Sequence, residues 1–162
     1  MNDGDVMLDL YEELRKITSA LNEHQIQYAL CGGLAMAVYD RPRATVDIDL
    51  MILSEALAET IRLAESLGYS IRGKDLTLAN GAVEIRRISK VDQASGTLLT
   101  LDLLLVTESV QQIWQSRMDA QWEGGKLSVV SREGLIRLKQ LSARPQDLAD
   151  ISALTEDRDA ID

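Results

Sequence analysis

Apolar residues recur at Val6, Leu10, Leu14, Ile17 and Leu21, the three-and-four spacing that lays one stripe along a helix. The pattern predicts an amphipathic helix over residues 5–23. Gln27 to Cys31 is a short apolar run and reads as a strand. Gly32 and Gly33 end it, and Leu34 to Val38 leave room for one or two helical turns. Asp40, Arg41 and Pro42 mark a turn. Val46 to Leu53 is the most strand-like run nearby. Glu55 to Leu67 reads as a helix with Leu57, Ile61, Ala64 and Leu67 on one face and Gly68 as its stop.

Beyond Gly68 the period changes. Val83 to Ile88 and Leu98 to Val106 are predicted strands, and the polar DQASG stretch between them predicts a hairpin. Ser109 to Met118 reads as a helix. Ala120 to Val130 carries Gly124 and Gly125 between two short runs, the pattern of a second, smaller hairpin. Ser131 is placed to cap a helix reaching about Leu141, Pro145 breaks it, and a last helix is expected from Gln146 to about Leu154. The expected fold is α/β (α+β): a small mixed sheet with helices packed on it and C-terminal helices closing one side. One domain is expected, with a core at about 24–107, a C-terminal hairpin and helices at about 108–155, and a charged tail at 156–162 expected to fray.

Within Val46–Leu53, residues two apart share a face. Asp47, Asp49 and Met51 point one way; Val46, Ile48 and Leu50 point the other. Two carboxylates on one face, with Cα atoms roughly 6.5–7 Å apart, repel unless a positive charge sits between them. A solvated strand face is one reading; a hard divalent cation held by carboxylate oxygens is the other. An EF-hand loop also begins Asp-x-Asp, but Ile52 and Ala58 stand where it needs Gly and Glu. The Walker and dinucleotide glycine patterns are absent. Asp102 interrupts the apolar run LTLDLLLV, where an isolated charge is costly unless paired or bound to a cation. If that strand lies beside Val46–Leu53, Asp102 joins Asp47 and Asp49. Three such carboxylates suit two Mg²⁺ ions about 3.5–4 Å apart, the arrangement used for displacement at phosphorus. The glycine pair adds a place where backbone N–H groups approach an anion closely, although a plain tight turn reads the same way.

Composition narrows the alternatives. The chain has 162 residues, 46% apolar, with no Phe, so the core must be mostly Leu, Ile, Val, Ala and Met. That length buries a core without disulfides, and the single Cys31 permits none internally; it reads as a small buried hydrophobe. The net charge of −9 argues against a large nucleic-acid footprint, so strong duplex binding is not expected; Arg41 and Arg43 remain a local basic patch. His24, at a predicted helix end, reads as a cap without a catalytic role. The acidic N-terminus is no signal peptide, no run is long enough for a membrane span, and a cytoplasmic location is expected.

The segment GGLAMAVYDRPRATVDIDLMI resembles the signature of the nucleotidyltransferase superfamily with the polymerase-β-like catalytic fold. Within it, the form GG followed by R-A-T-V-D-I-D-L, together with REGLIRLKQLSARPQDLADI, is most similar to the branch of abortive-infection type IV (AbiEii-like) toxins. The resemblance spans about Gln27 to Leu154. It implies a phosphate-cradling role for Gly32 and Gly33, and metal binding and catalysis for Asp47, Asp49 and Asp102. It implies nucleotide contact for Lys139, with Arg43 and Thr45 steadying the triphosphate or orienting the carboxylates; an exposed helix lysine at 139, and an Arg43 that simply neutralises the acidic cluster, read equally well. Asp147 matches an acidic position of the family, and capping of the last helix reads equally well.

The expected function is metal-dependent transfer of a nucleoside monophosphate from a nucleoside triphosphate to a hydroxyl on RNA, protein or a small molecule. Mg²⁺ or Mn²⁺ is the expected cofactor, and a cognate protein partner would fit a toxin restrained by an antitoxin. The alternative is a non-catalytic nucleotide-binding or protein-interaction module on the same fold.

Overall fold

The computed structural model describes the backbone of residues 3–123 and 125–161 and the side chains of 10–123 and 125–156. The Val6 side chain, Gly124 and part of the charged tail, all used above, lie outside these. The elements run α1 (Asp3–Glu23), β1 (Ala29–Cys31), α2 (Gly32–Val38), β2 (Asp47–Ile52), α3 (Leu57–Ser66), β3 (Ile71–Arg72), β4 (Leu76–Leu78), β5 (Val83–Val91), β6 (Leu98–Leu105), α4 (Gln111–Gln115), β7 (Met118–Trp122), β8 (Gly125–Val129), α5 (Arg132–Ser142) and α6 (Pro145–Ile161).

The strands form one mixed sheet in the order β3-β5-β6-β2-β1-β8-β7, with β4 also paired to β5. At its centre β2 runs parallel to β6 and antiparallel to β1. Along β2 the residues alternate as expected. Ile48, Leu50 and Ile52 join Leu101, Leu103 and Leu105 of β6 in the core. Leu10, Leu14, Ile17 and Leu21 of α1 belong to the same cluster, each 3% exposed or less, so the helical stripe covers this side of the sheet. The other side carries the aspartates.

One polar group enters the packing with α1. Glu13 accepts hydrogen bonds from Tyr69 Oη (2.9 Å) and pairs with Lys90 Nζ (2.6 Å). Burial alone would raise its carboxyl. The hydrogen bonds from Lys90 and Tyr69 outweigh burial and hold it below the ordinary value. Thus a buried acid is satisfied by partners from β5 and from the turn after α3.

The β5–β6 hairpin forms around the DQASG turn, in register from Glu84↔Leu105 to Val91↔Leu98. The second hairpin is β7–β8. Ser131 caps α5 by accepting from Gly134 N. Three differences stand out. The helix expected over Ser109–Met118 shrinks to a 3₁₀ turn and α4, because its last turn tightens. Ser116 N bonds both Gln112 O and Ile113 O, Arg117 stacks on Trp114 at 4.0 Å, and Met118 already belongs to β7. β3 and β4 have no counterpart in the sequence reading. They are two and three residues long, too short to show an alternation. Finally, α6 runs to Ile161 rather than ending near Leu154. No described helix is long and apolar enough to cross a membrane.

Candidate active site

Parallel pairing of β2 with β6 fixes the site. The register sets Asp49 opposite Asp102 and Asp47 opposite Thr100, and paired residues of neighbouring strands point to the same face. The three aspartates therefore share one side of the sheet. On β5, Arg87 stands opposite Asp102, so Asp49, Asp102 and Arg87 form one row across three strands.

These side chains open into a cleft of about 330 Å³ between the sheet face, α2, α5 and the start of α6. Gly32, Gly33, Arg43, Thr45, Asp47, Asp49, Asp102 and Lys139, the residues singled out in the sequence, all line it.

The glycine pair packs on the aspartate strand. Gly32 has φ +69°, and a Cβ there would overlap the Asp49 carboxylate. A Cβ on Gly33 would meet Thr45 Cβ at 3.1 Å and Arg43 Nη1 at 3.2 Å. Thr45 Oγ1 accepts the backbone N–H of Asp47 (3.3 Å). So the glycines, Arg43, Thr45 and the two strand aspartates interlock.

Charge is unevenly balanced. Burial, then the neighbouring carboxylates Asp102 and Asp47, push Asp49 up to about 7. Burial and Asp102 raise Asp47 as well. Asp102 is different. Arg87 holds it with a bidentate fork, Nε to Oδ1 at 2.8 Å and Nη2 to Oδ2 at 2.9 Å. Among the described residues no three His, Cys, Asp or Glu side chains are grouped as a ready cage for a metal ion. The three aspartates nevertheless fit a hard divalent cation: their donors are carboxylate oxygens, Asp47 and Asp49 resist ionisation without one, and the Asp49 carboxylate lies against a glycine that leaves room for it.

Lys139 is buried in the cleft wall, where Nζ meets Asp150 Oδ2 at 2.8 Å. Asp150 also receives a bidentate pair from Arg43 (2.9 Å to each oxygen) and a bond from Gln146 Nε2 (3.0 Å). Burial favours its neutral form, but Arg43 and Lys139 prevail and hold the carboxyl below the ordinary range. Asp147 accepts Arg144 N (3.1 Å) and pairs with Arg144 Nε (2.9 Å). It closes the first turn of α6 in the manner of a capping box, the structural alternative that the sequence left open. Cys31 is buried, with its thiol raised chiefly by burial. His24 is exposed, its Nδ1 3.0 Å from Ala20 O at the end of α1.

The sequence reading missed Arg87 and Asp150. Each carries a signal in retrospect. Arg87 is a charge in strand phase with Val83 and Ile85, and Asp150 lies one helical turn beyond Gln146.

The fold is shared with solved structures. A candidate nucleotidyltransferase from Thermotoga maritima superposes with TM-score 0.63 at 14% identity, covering 91% of this chain and 93% of that one. ANT(2'')-Ia in complex with adenylyl-2''-tobramycin gives 0.61 at 18% identity, covering 93% and 87%. An antigenic nucleotidyltransferase-like protein from Paracoccidioides brasiliensis gives 0.52 at 25% identity, covering 88% and 75%. No curated protein matches the chain in sequence. Residues 17–162 match the family described as nucleotidyl transferase AbiEii toxin, type IV TA system. The mixed α/β fold is thus that of the nucleotidyltransferases, and the chain belongs to the AbiEii nucleotidyltransferase family.

Proposed function

We propose that this chain moves a nucleoside monophosphate from a nucleoside triphosphate to a hydroxyl acceptor, with Mg²⁺ or Mn²⁺ held by Asp47, Asp49 and Asp102. In balance, the bond between the α-phosphorus and its bridging oxygen breaks, a bond from the acceptor oxygen forms, pyrophosphate leaves and the hydroxyl proton is released. The observation that carries this reading is the register pair Asp49–Asp102 in one cleft, with the Asp49 carboxylate packed on Gly32. When bound, the divalent cation would neutralise the carboxylates and the phosphates together. Gly32 and Gly33 let the triphosphate approach the backbone. Arg43 and Lys139 place positive charge on the cleft wall, and Thr45 fixes the backbone of Asp47. Catalysis of this kind is mostly positioning and charge neutralisation, and it requires no nucleophilic side chain.

The acceptor is the hydroxyl of an RNA, a protein or a small molecule. Family membership supports a toxin restrained by a cognate partner; its proposed place of action is the cytoplasm, where triphosphates and Mg²⁺ are at hand. The structural likeness to ANT(2'')-Ia, whose complex holds adenylyl-2''-tobramycin, keeps a small-molecule acceptor in view. Growth arrest on expression, relieved by Asp47→Ala, would point to the toxin. A second reading, a non-catalytic nucleotide-binding module, draws on the pairs Arg87–Asp102 and Lys139–Asp150, which are satisfied without a ligand.

Calorimetry with each nucleoside triphosphate tests the binding step. Binding should require Mg²⁺ or Mn²⁺ and vanish in EDTA. Equal affinity in both conditions counts against a metal-dependent site.

A further inference from the structure

We propose that Arg87 is a positioning residue: it stands as the resident counter-ion of Asp102 and sets how tightly the Asp47–Asp49–Asp102 row takes a divalent cation. The inference rests on the reading that this row binds one. Three observations carry it.

The first is placement. Arg87 lies in the same register row as Asp102 and Asp49 and lines the same cleft. Its side chain is 38% exposed, while that of Asp102 is 5% exposed. The carboxylate is therefore inside, and Arg87 is the more open member of the pair.

The second is geometry. Both Asp102 oxygens accept from the fork at 2.8 and 2.9 Å. A carboxylate oxygen has two lone pairs. Arg87 takes one on each oxygen, which fixes the carboxylate plane and leaves the other two for a cation. Lysine, a point charge, cannot hold that plane.

The third is the bed on which Arg87 lies. A Cβ at Gly73 would stand 2.9 Å from Arg87 Cγ and 3.1 Å from its Cβ and Cδ. Gly73 N also donates to Arg87 O (2.9 Å). The loop after β3 thus accommodates the arginine stem flat against it, which keeps the guanidinium on Asp102 rather than swinging out to solvent.

Among the described residues, Asp47 and Asp49 have no such fork; Arg87 is placed to balance the carboxylates where Asp102 joins them. A guanidinium there leaves Asp102 two lone pairs for a divalent ion but repels that ion by its charge. Its removal should tighten metal binding by about tenfold or more, the effect of one unit charge a few ångströms from a divalent ion even at the dielectric of water. A merely structural salt bridge would lower stability without tightening metal binding.

The test is calorimetric titration of the full chain with MnCl₂, without nucleotide, in wild type, Arg87→Gln and Arg87→Lys. Each is paired with thermal unfolding in EDTA and in MnCl₂. The expected result is about tenfold tighter Mn²⁺ binding in Arg87→Gln and a smaller gain in Arg87→Lys. The Tm of Arg87→Gln should fall in EDTA and recover in MnCl₂, because the ion replaces the lost charge. Unchanged or weaker Mn²⁺ affinity in a folded Arg87→Gln overturns the proposal while leaving the metal site standing. Absence of Mn²⁺ binding in the wild type overturns both. If Arg87→Gln is unfolded in EDTA, refolding on addition of MnCl₂ supports the proposal. Failure to refold, with Arg87→Lys binding Mn²⁺ as the wild type does, overturns it.

Discussion

The Asp49 carboxylate lies where the Cβ of any residue but glycine at position 32 would stand. The Gly-Gly turn and the Asp-x-Asp strand are therefore one steric unit, joined across the β1–β2 pair. Gly32→Ala meets two obstacles, a backbone at φ +69° and a carboxylate in its way. Together these should cost about 2–4 kcal/mol. At about 2–4 °C per kcal/mol for a chain of this size, circular dichroism melting should show a fall of several degrees. An unchanged Tm would mean that the two motifs are not in contact.

Asp49→Asn should stabilise the metal-free protein. Asp49 is raised to about 7 by burial and then by Asp102 and Asp47, so its ionised form opposes folding. That penalty is absent below the unfolded carboxylate value of about 4, grows between there and the folded value, and is full above it. In EDTA the variant should therefore melt several degrees above wild type at alkaline pH, with the gap closing as pH falls through that window. Its Mg²⁺ affinity should drop. Paired melts across pH check this; a gap that widens towards acid contradicts the sign.

Asp150 should matter more to the fold than its place near the end of the chain suggests. Asp150→Ala leaves Lys139, nearly fully buried, without its 2.8 Å partner, and strands the Arg43 fork. Breaking a buried pair on one side costs about 3–5 kcal/mol. Lys139→Met added to Asp150→Ala should recover part of the loss. Because the Asp150 carboxyl is held below its ordinary value, its contribution is present above the unfolded value of about 4 and is lost as pH falls through the lower folded one. Urea unfolding of the two variants decides it, and equal stability of Asp150→Ala and wild type would remove Asp150 from the account.

Much of this site was legible because its logic is local. Two aspartates at spacing two must share a strand face, and Asp102 betrays itself as a charge among leucines. Ser131 announces α5 by its position before an apolar repeat. Arg87 was not legible, since its partnership with Asp102 exists only once β5 and β6 take the register Arg87↔Asp102. Asp150 was hidden for a similar reason: its three partners lie in the segment before β2, in α5 and in α6. The sequence pointed instead to Asp147, which the fold uses to close the first turn of α6.

With a net charge of −9, long-range attraction to nucleic acid should be weak. Filter binding of generic RNA and duplex DNA at physiological salt is expected to show negligible retention without nucleotide. Tight binding with a steep salt slope would contradict this and move the acceptor towards nucleic acid.

The central claim is nucleotidyl transfer, and the fate of the label tests it most directly. The protein is incubated with Mg²⁺, cell lysate and each nucleoside triphosphate labelled at either the α- or the γ-phosphate. Nucleotidyl transfer places the α-label on a macromolecule or small molecule, sends the γ-label to pyrophosphate, and stops in EDTA and in Asp47→Ala. Transfer of the γ-label to an acceptor, or α-label transfer that persists in Asp47→Ala, would contradict the account.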